Sequence, residues 1–216
     1  GLQVPDDVTL IWCDDNYGYI RHFPTPEEQA RKGGNGIYYH VSYWGRPHDY
    51  LWLGTFSPYL LYQQMKLAYD RGIQKMWVLN VGDIKPAEYQ IELFLDMAWN
   101  IEQVAEEGVT THLKNWLGRE FGTEYAKTLL SVMQEHYRLA YIRKPEFMGN
   151  TREEERDPIY KKVKDLPWSE QTIRERLKDY AALSSVVEEV EAKLPVHRKD
   201  AYMQLVKYPV PVSYTH

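Results

Sequence analysis

Three short apolar runs, each followed by a stretch with helical spacing, set the strongest limit on this chain. The runs "VTLIWC" (8–13), "GIYYHVSYW" (36–44) and "KMWVLNVGD" (75–83) are rich in β-branched and aromatic residues. Val8–Cys13 is continuous rather than alternating, which predicts a strand buried on both faces. Between and after the runs lie "TPEEQARKGG" (25–34), "SPYLLYQQMKLAYDRG" (57–72) and "KPAEYQIELFLDMAWN" (85–100). Thr25 and Ser57 stand where helix N-caps belong, Pro26 and Pro86 suit first turns, and Gly33, Gly34 and Gly72 suit helix ends. The order β-α-β-α-β-α is that of a parallel sheet with crossover helices.

After Asn100 the strand signal disappears. Residues 108–122, 123–144 and 169–194 have amphipathic helical spacing with Gly, Thr or Ser at their joints, and 195–207 begins another such pattern. The stretch 145–168 reads as a charged, proline-marked connection, and "TREEER" within it as a solvated face. The closing "KYPVPVSYTH" carries neither a helix stop nor a completed strand pattern. With 216 residues, 44% of them hydrophobic and 26% charged, the chain is long and apolar enough to bury a core. The expected division is 1–100, a sheet with its crossover helices, and 101–216, an all-α helical bundle. The opening "GLQVPDD" has neither an initiator Met nor a signal peptide, so the chain is expected to be a piece of a longer protein.

Several function classes fall away. A net charge of -5 and a pI near 5.8 argue against nucleic acid as a partner. No apolar run approaches the roughly 20 residues of a membrane span. Cys13 is the single cysteine, which excludes an internal disulfide and a multi-cysteine zinc site. His40, His48 and Asp49 match no compact metal-ligand spacing, and "GGNG" (33–36) precedes a strand where an anion-binding loop would follow one. Neither metal nor cofactor is expected.

The polar residues fall in a pattern. The first run ends in Asp14, Asp15 and Asn16, the second delivers His40, Ser42 and Tyr43 and then Arg46, His48 and Asp49, and the third delivers Asn80 and Asp83. In parallel α/β folds the carboxyl ends of the strands form the ligand face. Each residue also has a plain structural reading. Asp14 or Asp15 can cap the following turn, Asn80 can be a turn residue, His40 a hydrogen-bonded core histidine, and Tyr43 simple packing. The repetition at one geometric end favours a pocket floor. Aromatic residues crowd the same region, as suits a surface on which sugar rings stack.

These motifs, "WCDDNYGYIRHFP", "GGNGIYYHVSYWGRPHDYLWL" and "VLNVGDIKPAE", closely resemble those of glycoside hydrolase family 115, the xylan α-1,2-glucuronidases. The resemblance runs through roughly the whole chain, most specifically in residues 8–90. It implies the last three βα units of a (β/α)8 TIM-type barrel, followed by the helical domain that comes after it in long multidomain relatives. It further implies removal of glucuronic acid or its 4-O-methyl ether from glucuronoxylan or its aldouronic acid oligosaccharides, with inversion. Asp14 then corresponds to a candidate general base, and Asn16, His40, Tyr43 and Asn80 to residues that contact the uronic acid. Inversion needs two carboxyl groups, and the family's proton donor is expected to be a Glu upstream of Gly1. Such a substrate implies a secreted, periplasmic or cell-surface enzyme. Two other readings compete: a non-catalytic carbohydrate-binding module, which the aromatic density would serve equally, and an α/β interaction domain without chemistry.

Overall fold

A computed structural model describes residues 3–15, 17–43, 53–145 and 167–215. Three strands, β1 (Leu10–Cys13), β2 (Asn35–His40) and β3 (Ile73–Asn80), form a parallel sheet in the order β1-β2-β3. The register pairs Cys13 with Tyr38 and His40 with Asn80, so the three carboxyl ends lie along one edge. The second strand was expected to run to Trp44 but ends at His40, with residues beyond Tyr43 outside the described range.

The first crossover contains only a four-residue helix, α1 (Pro26–Gln29). Its start is as expected: the Thr25 hydroxyl accepts from the Glu28 N–H, and the Glu28 carboxylate accepts from the Thr25 N–H. Asn35 then locks the unit, accepting from the Trp12 indole at 2.9 Å and donating to the Glu28 carbonyl at 2.9 Å. The second crossover is α2 (Pro58–Asp70); Ser57 occupies its N-cap position, but its side chain makes no capping hydrogen bond.

After β3 a 3-10 turn (Lys85–Ala87) leads into α3 (Glu88–Glu107). The sequence pattern ends this helix at Asn100. The chain does leave helical geometry there, with φ -154° and ψ 89°, and the Asn100 side chain accepts from the Gln103 N–H to restart it. Helices α4 (Val109–Phe121), α5 (Ala126–Ile142), α6 (Glu170–Lys193) and α7 (Val196–Tyr202) follow. The tail, to which the sequence pattern assigns no element, is also helical. A π-helical turn (Met203–Lys207) leads to α8 (Pro209–Thr215). Pro209 has no N–H for the ladder and its ring crowds the carbonyl four residues back. The turn before it is wider, with the Tyr208 N–H donating to the Met203 carbonyl at 2.7 Å.

One apolar cluster runs from Ile37, Tyr39 and Val41 through Leu61, Phe94 and Leu117 to Val187, Val206 and Val210. It covers a single face of the sheet. On the other face Ile11 is 47% exposed, Tyr38 37% and Met76 52%. The expectation of strands buried on both faces therefore does not hold within this chain, because helices pack on one side only. Among the described residues the outer edges of β1 and β3 have no further strand beside them. No described helix is long and apolar enough to cross a membrane.

Candidate active site

The chain turns sharply as it leaves β1, and the turn separates the two adjacent acids. Asp15 organises the loop. Its Oδ1 accepts the N–H groups of Tyr17 and Tyr19, both at 3.0 Å, and its Oδ2 pairs with Arg21 Nε at 2.6 Å. The return of the chain is fixed by the Asp15 N–H donating to the Tyr19 carbonyl and by the Ile20 N–H donating to Gln64. Asp14 points the other way. Its side chain is 0% exposed, with Oδ1 2.6 Å from His40 Nδ1 and Oδ2 accepting the Gly18 N–H at 3.2 Å.

Gly18 makes that inward turn possible. Its φ of +88° is the left-handed region, and a Cβ there would come within 2.6 Å of the Phe56 ring. The Tyr39 hydroxyl donates to the Gly18 carbonyl at 2.7 Å, holding the loop against β2 from beneath. The far side of the loop reaches α5, where the Tyr19 and Tyr141 hydroxyls lie 3.0 Å apart. Burial, with that hydrogen bond second, pushes the Tyr19 phenol up to about 12, so it is protonated at neutral pH.

His40 is the hub. In its contact with the Asp14 carboxylate we assign the proton to Nδ1, which leaves Nε2 without a hydrogen-bond partner among the described residues. The imidazole is held edge-on between two rings, Tyr38 at 5.1 Å and Tyr43 at 5.0 Å between centroids. Asn80, opposite His40 in the register, donates from Nδ2 to the Tyr38 hydroxyl at 2.5 Å. Ser42 is spent on structure, accepting the Gly82 N–H at 2.8 Å and so bracing the ends of β2 and β3.

Of the residues singled out in the sequence, Asp14, His40, Tyr43 and Asn80 thus come together at one end of the sheet. Asn16, and Arg46, His48 and Asp49 after β2, lie outside the described residues. Tyr38 was missed. The signal that could have found it is alternation: residues 38 and 40 share a face of the strand. No group of three or more metal-ligating side chains assembles among the described residues.

The model of glycosyl hydrolase family 115 matches residues 1–147. The chain belongs to glycoside hydrolase family 115. Among solved structures it is similar to a family 115 4-O-methyl-α-glucuronidase with specificity for decorated arabinogalactans, at 74% identity and a TM-score of 0.95. That likeness covers 99% of this chain but only 28% of the other, so the chain spans little more than a quarter of the length of that solved relative. No curated protein matches the sequence. All four assembled candidates lie within the stretch that the family model matches.

Proposed function

We propose that this chain is a segment of an inverting α-glucuronidase that removes terminal glucuronic acid, or its 4-O-methyl ether, from a decorated polysaccharide. The observation that carries the reading is the buried Asp14–His40 pair, set beside Tyr38, Tyr43 and Asn80 at the carboxyl ends of parallel strands in a family 115 chain. The Tyr38 and Tyr43 hydroxyls and the Asn80 amide can donate to the carboxylate and ring oxygens of a uronic acid. His40 Nε2 in the assigned tautomer can accept from a sugar hydroxyl or a water, and the aromatic rings suit the C–H face of the sugar.

The open sheet face and the two free edges support a barrel completed by strands outside this chain. In a (β/α)8 barrel, helices cover the outer face only, and further strands enclose the inner one. Tyr38, Met76 and Ile11 would then face the barrel interior. The proton donor that inversion requires would come from that remaining part, since Asp15 is committed to its loop and to Arg21.

The water-activating role implied for Asp14 needs a carboxylate oxygen open to a water. Both oxygens are engaged, so in our reading Asp14 acts through His40. It holds the imidazole in one tautomer and orientation, with Nε2 directed to the sugar. Tyr43 and Asn80 complete the binding of the uronic acid, with Asn16, two residues after Asp14 in the sequence, as a further contact implied by the family resemblance.

The 74% identity to an enzyme with specificity for decorated arabinogalactans puts that glycan first as substrate, with glucuronoxylan second. The test is the full-length protein acting on uronic-acid-capped oligosaccharides of both kinds. Release of α-linked glucuronic acid with formation of the β-anomer, followed by NMR, is expected. Binding without any release would favour the carbohydrate-binding module instead.

A further inference from the structure

A second cleft, of about 450 Å³, opens near the same end of the sheet but away from His40. One wall is the turn after β3, Asp83 to Pro86, and the other is the π-helical turn with Met203, Gln204 and Tyr208. We propose that this cleft is a subsite for neutral pyranose units of the polysaccharide backbone, on the leaving-group side of the scissile bond. The proposal rests on the glucuronidase reading and extends it to what fixes the choice of backbone.

Three observations carry it. First, Asp83 in the turn after β3 lies three residues beyond Asn80, and three residues of chain span at most about 11 Å, which is within the reach of a disaccharide held at the uronic-acid site. Second, the lining combines apolar faces with hydrogen-bonding groups. Tyr208 is 39% exposed and Met203 44%, while Asp83, Lys85 and Gln204 form no hydrogen bond or ion pair among the described residues. A stacking face ringed by side-chain donors and acceptors without hydrogen-bond partners among the described residues is what a pyranose ring needs. Third, the cleft exists because of a local irregularity. The extra width of the π turn before Pro209 lets the chain present Met203, Gln204 and Tyr208 together toward the β3 turn, and such turns recur at functional sites.

The charges choose the ligand. One carboxylate, Asp83, and one ammonium, Lys85, line the cleft, and the Glu88 carboxylate lies close enough to Lys85 to interact with its charge. With Lys85 offset by Asp83 and Glu88 the cleft has no cation in excess to hold a second uronic acid, whereas a neutral galactose or xylose unit finds an acceptor in Asp83, a donor in Lys85 and both in Gln204.

The test uses the full-length protein with Tyr208→Ala, Tyr208→Phe and Gln204→Ala. Two readouts are taken: kcat/KM on a long uronic-acid-capped oligosaccharide and on a minimal disaccharide, and binding of the undecorated backbone oligosaccharide by calorimetry. Loss of the stacking ring or of the amide should lower kcat/KM on the long substrate roughly tenfold, as for one or two lost hydrogen bonds or contacts, and leave the disaccharide unchanged. Tyr208→Phe should retain the wild-type value. Equal losses on both substrates, or no loss on either, would overturn the subsite. If wild type bound the neutral backbone and Tyr208→Ala did not, the subsite would stand even were no glucuronic acid released, so the two readings fail separately. Gln204 is exposed, so its variant keeps the test open should Tyr208→Ala fail to fold.

Discussion

Asp14 Oδ1 and His40 Nδ1 are 2.6 Å apart, joining the ends of two neighbouring strands across 26 residues of chain. The carboxylate is wholly buried and the imidazole nearly so. A charge-assisted hydrogen bond in such surroundings fixes geometry more firmly than one in water. It also makes the two residues a single unit, which has consequences for mutation.

In the full-length protein, Asp14→Asn and His40→Ala should each lower the proposed glucuronidase turnover by about 10²–10⁴-fold, the span typical of positioned acid–base groups. If Asp14 works through His40, the double variant should be little worse than the poorer single one. Losses that multiply would assign Asp14 an independent role. The measurement is a double-mutant cycle on one oligosaccharide.

Asp15 should behave differently. Asp15→Asn keeps an acceptor for the Tyr17 and Tyr19 N–H groups and gives up only the partly exposed Arg21 pair, which is worth about 0–1 kcal/mol. Thermal stability and turnover should both stay near wild type. Inactivation by Asp15→Asn with unchanged stability would mean that Asp15 is the carboxylate the reaction needs.

Gly18→Ala tests the turn itself. The added methyl group would be strained at φ +88° and would press on the Phe56 ring, disturbing the Gly18 N–H that Asp14 accepts and the carbonyl that Tyr39 holds. A cost of about 1–3 kcal/mol is expected, read by denaturant unfolding, together with a fall in activity.

His136 gives a pH dependence. Burial lowers its pKa from 6.5 to about 4, and its Nδ1 has no partner among the described residues while Nε2 faces the Leu53 carbonyl. As pH falls, the unfolded chain takes up the proton first. Stability present above about pH 6.5 is therefore lost progressively toward pH 4, by an amount on the order of 3 kcal/mol. His136→Gln should remove that part of the slope. An unchanged difference in unfolding free energy between pH 7.5 and pH 4.5 in the variant would refute it.

The 216-residue chain alone should release no measurable glucuronic acid, because Asp14 offers no free oxygen and Asp15 is engaged in its loop. Turnover at the rate of the full-length protein would show that the chain carries its own proton donor and base.

The order of strands and helices, the Thr25 cap and the gathering of polar residues at strand ends were all legible from the sequence. Each depends on residues within a few positions of one another: apolar spacing, a hydroxyl three residues before a Glu, and acids following a β-branched run. What the fold alone decided is how neighbouring residues divide. Asp14 and Asp15 are the same side chain in the same local sequence, and only the left-handed turn at Gly18, packed on Phe56, sends one to His40 and the other into the loop. Tyr38 joins the site only because β2 shows that face to the open side of the sheet. The proline-rich tail becomes a helix against its local pattern because Val206 and Val210 reach full burial in the shared core. Burial of that kind is a sum over distant residues, and no window of sequence contains it.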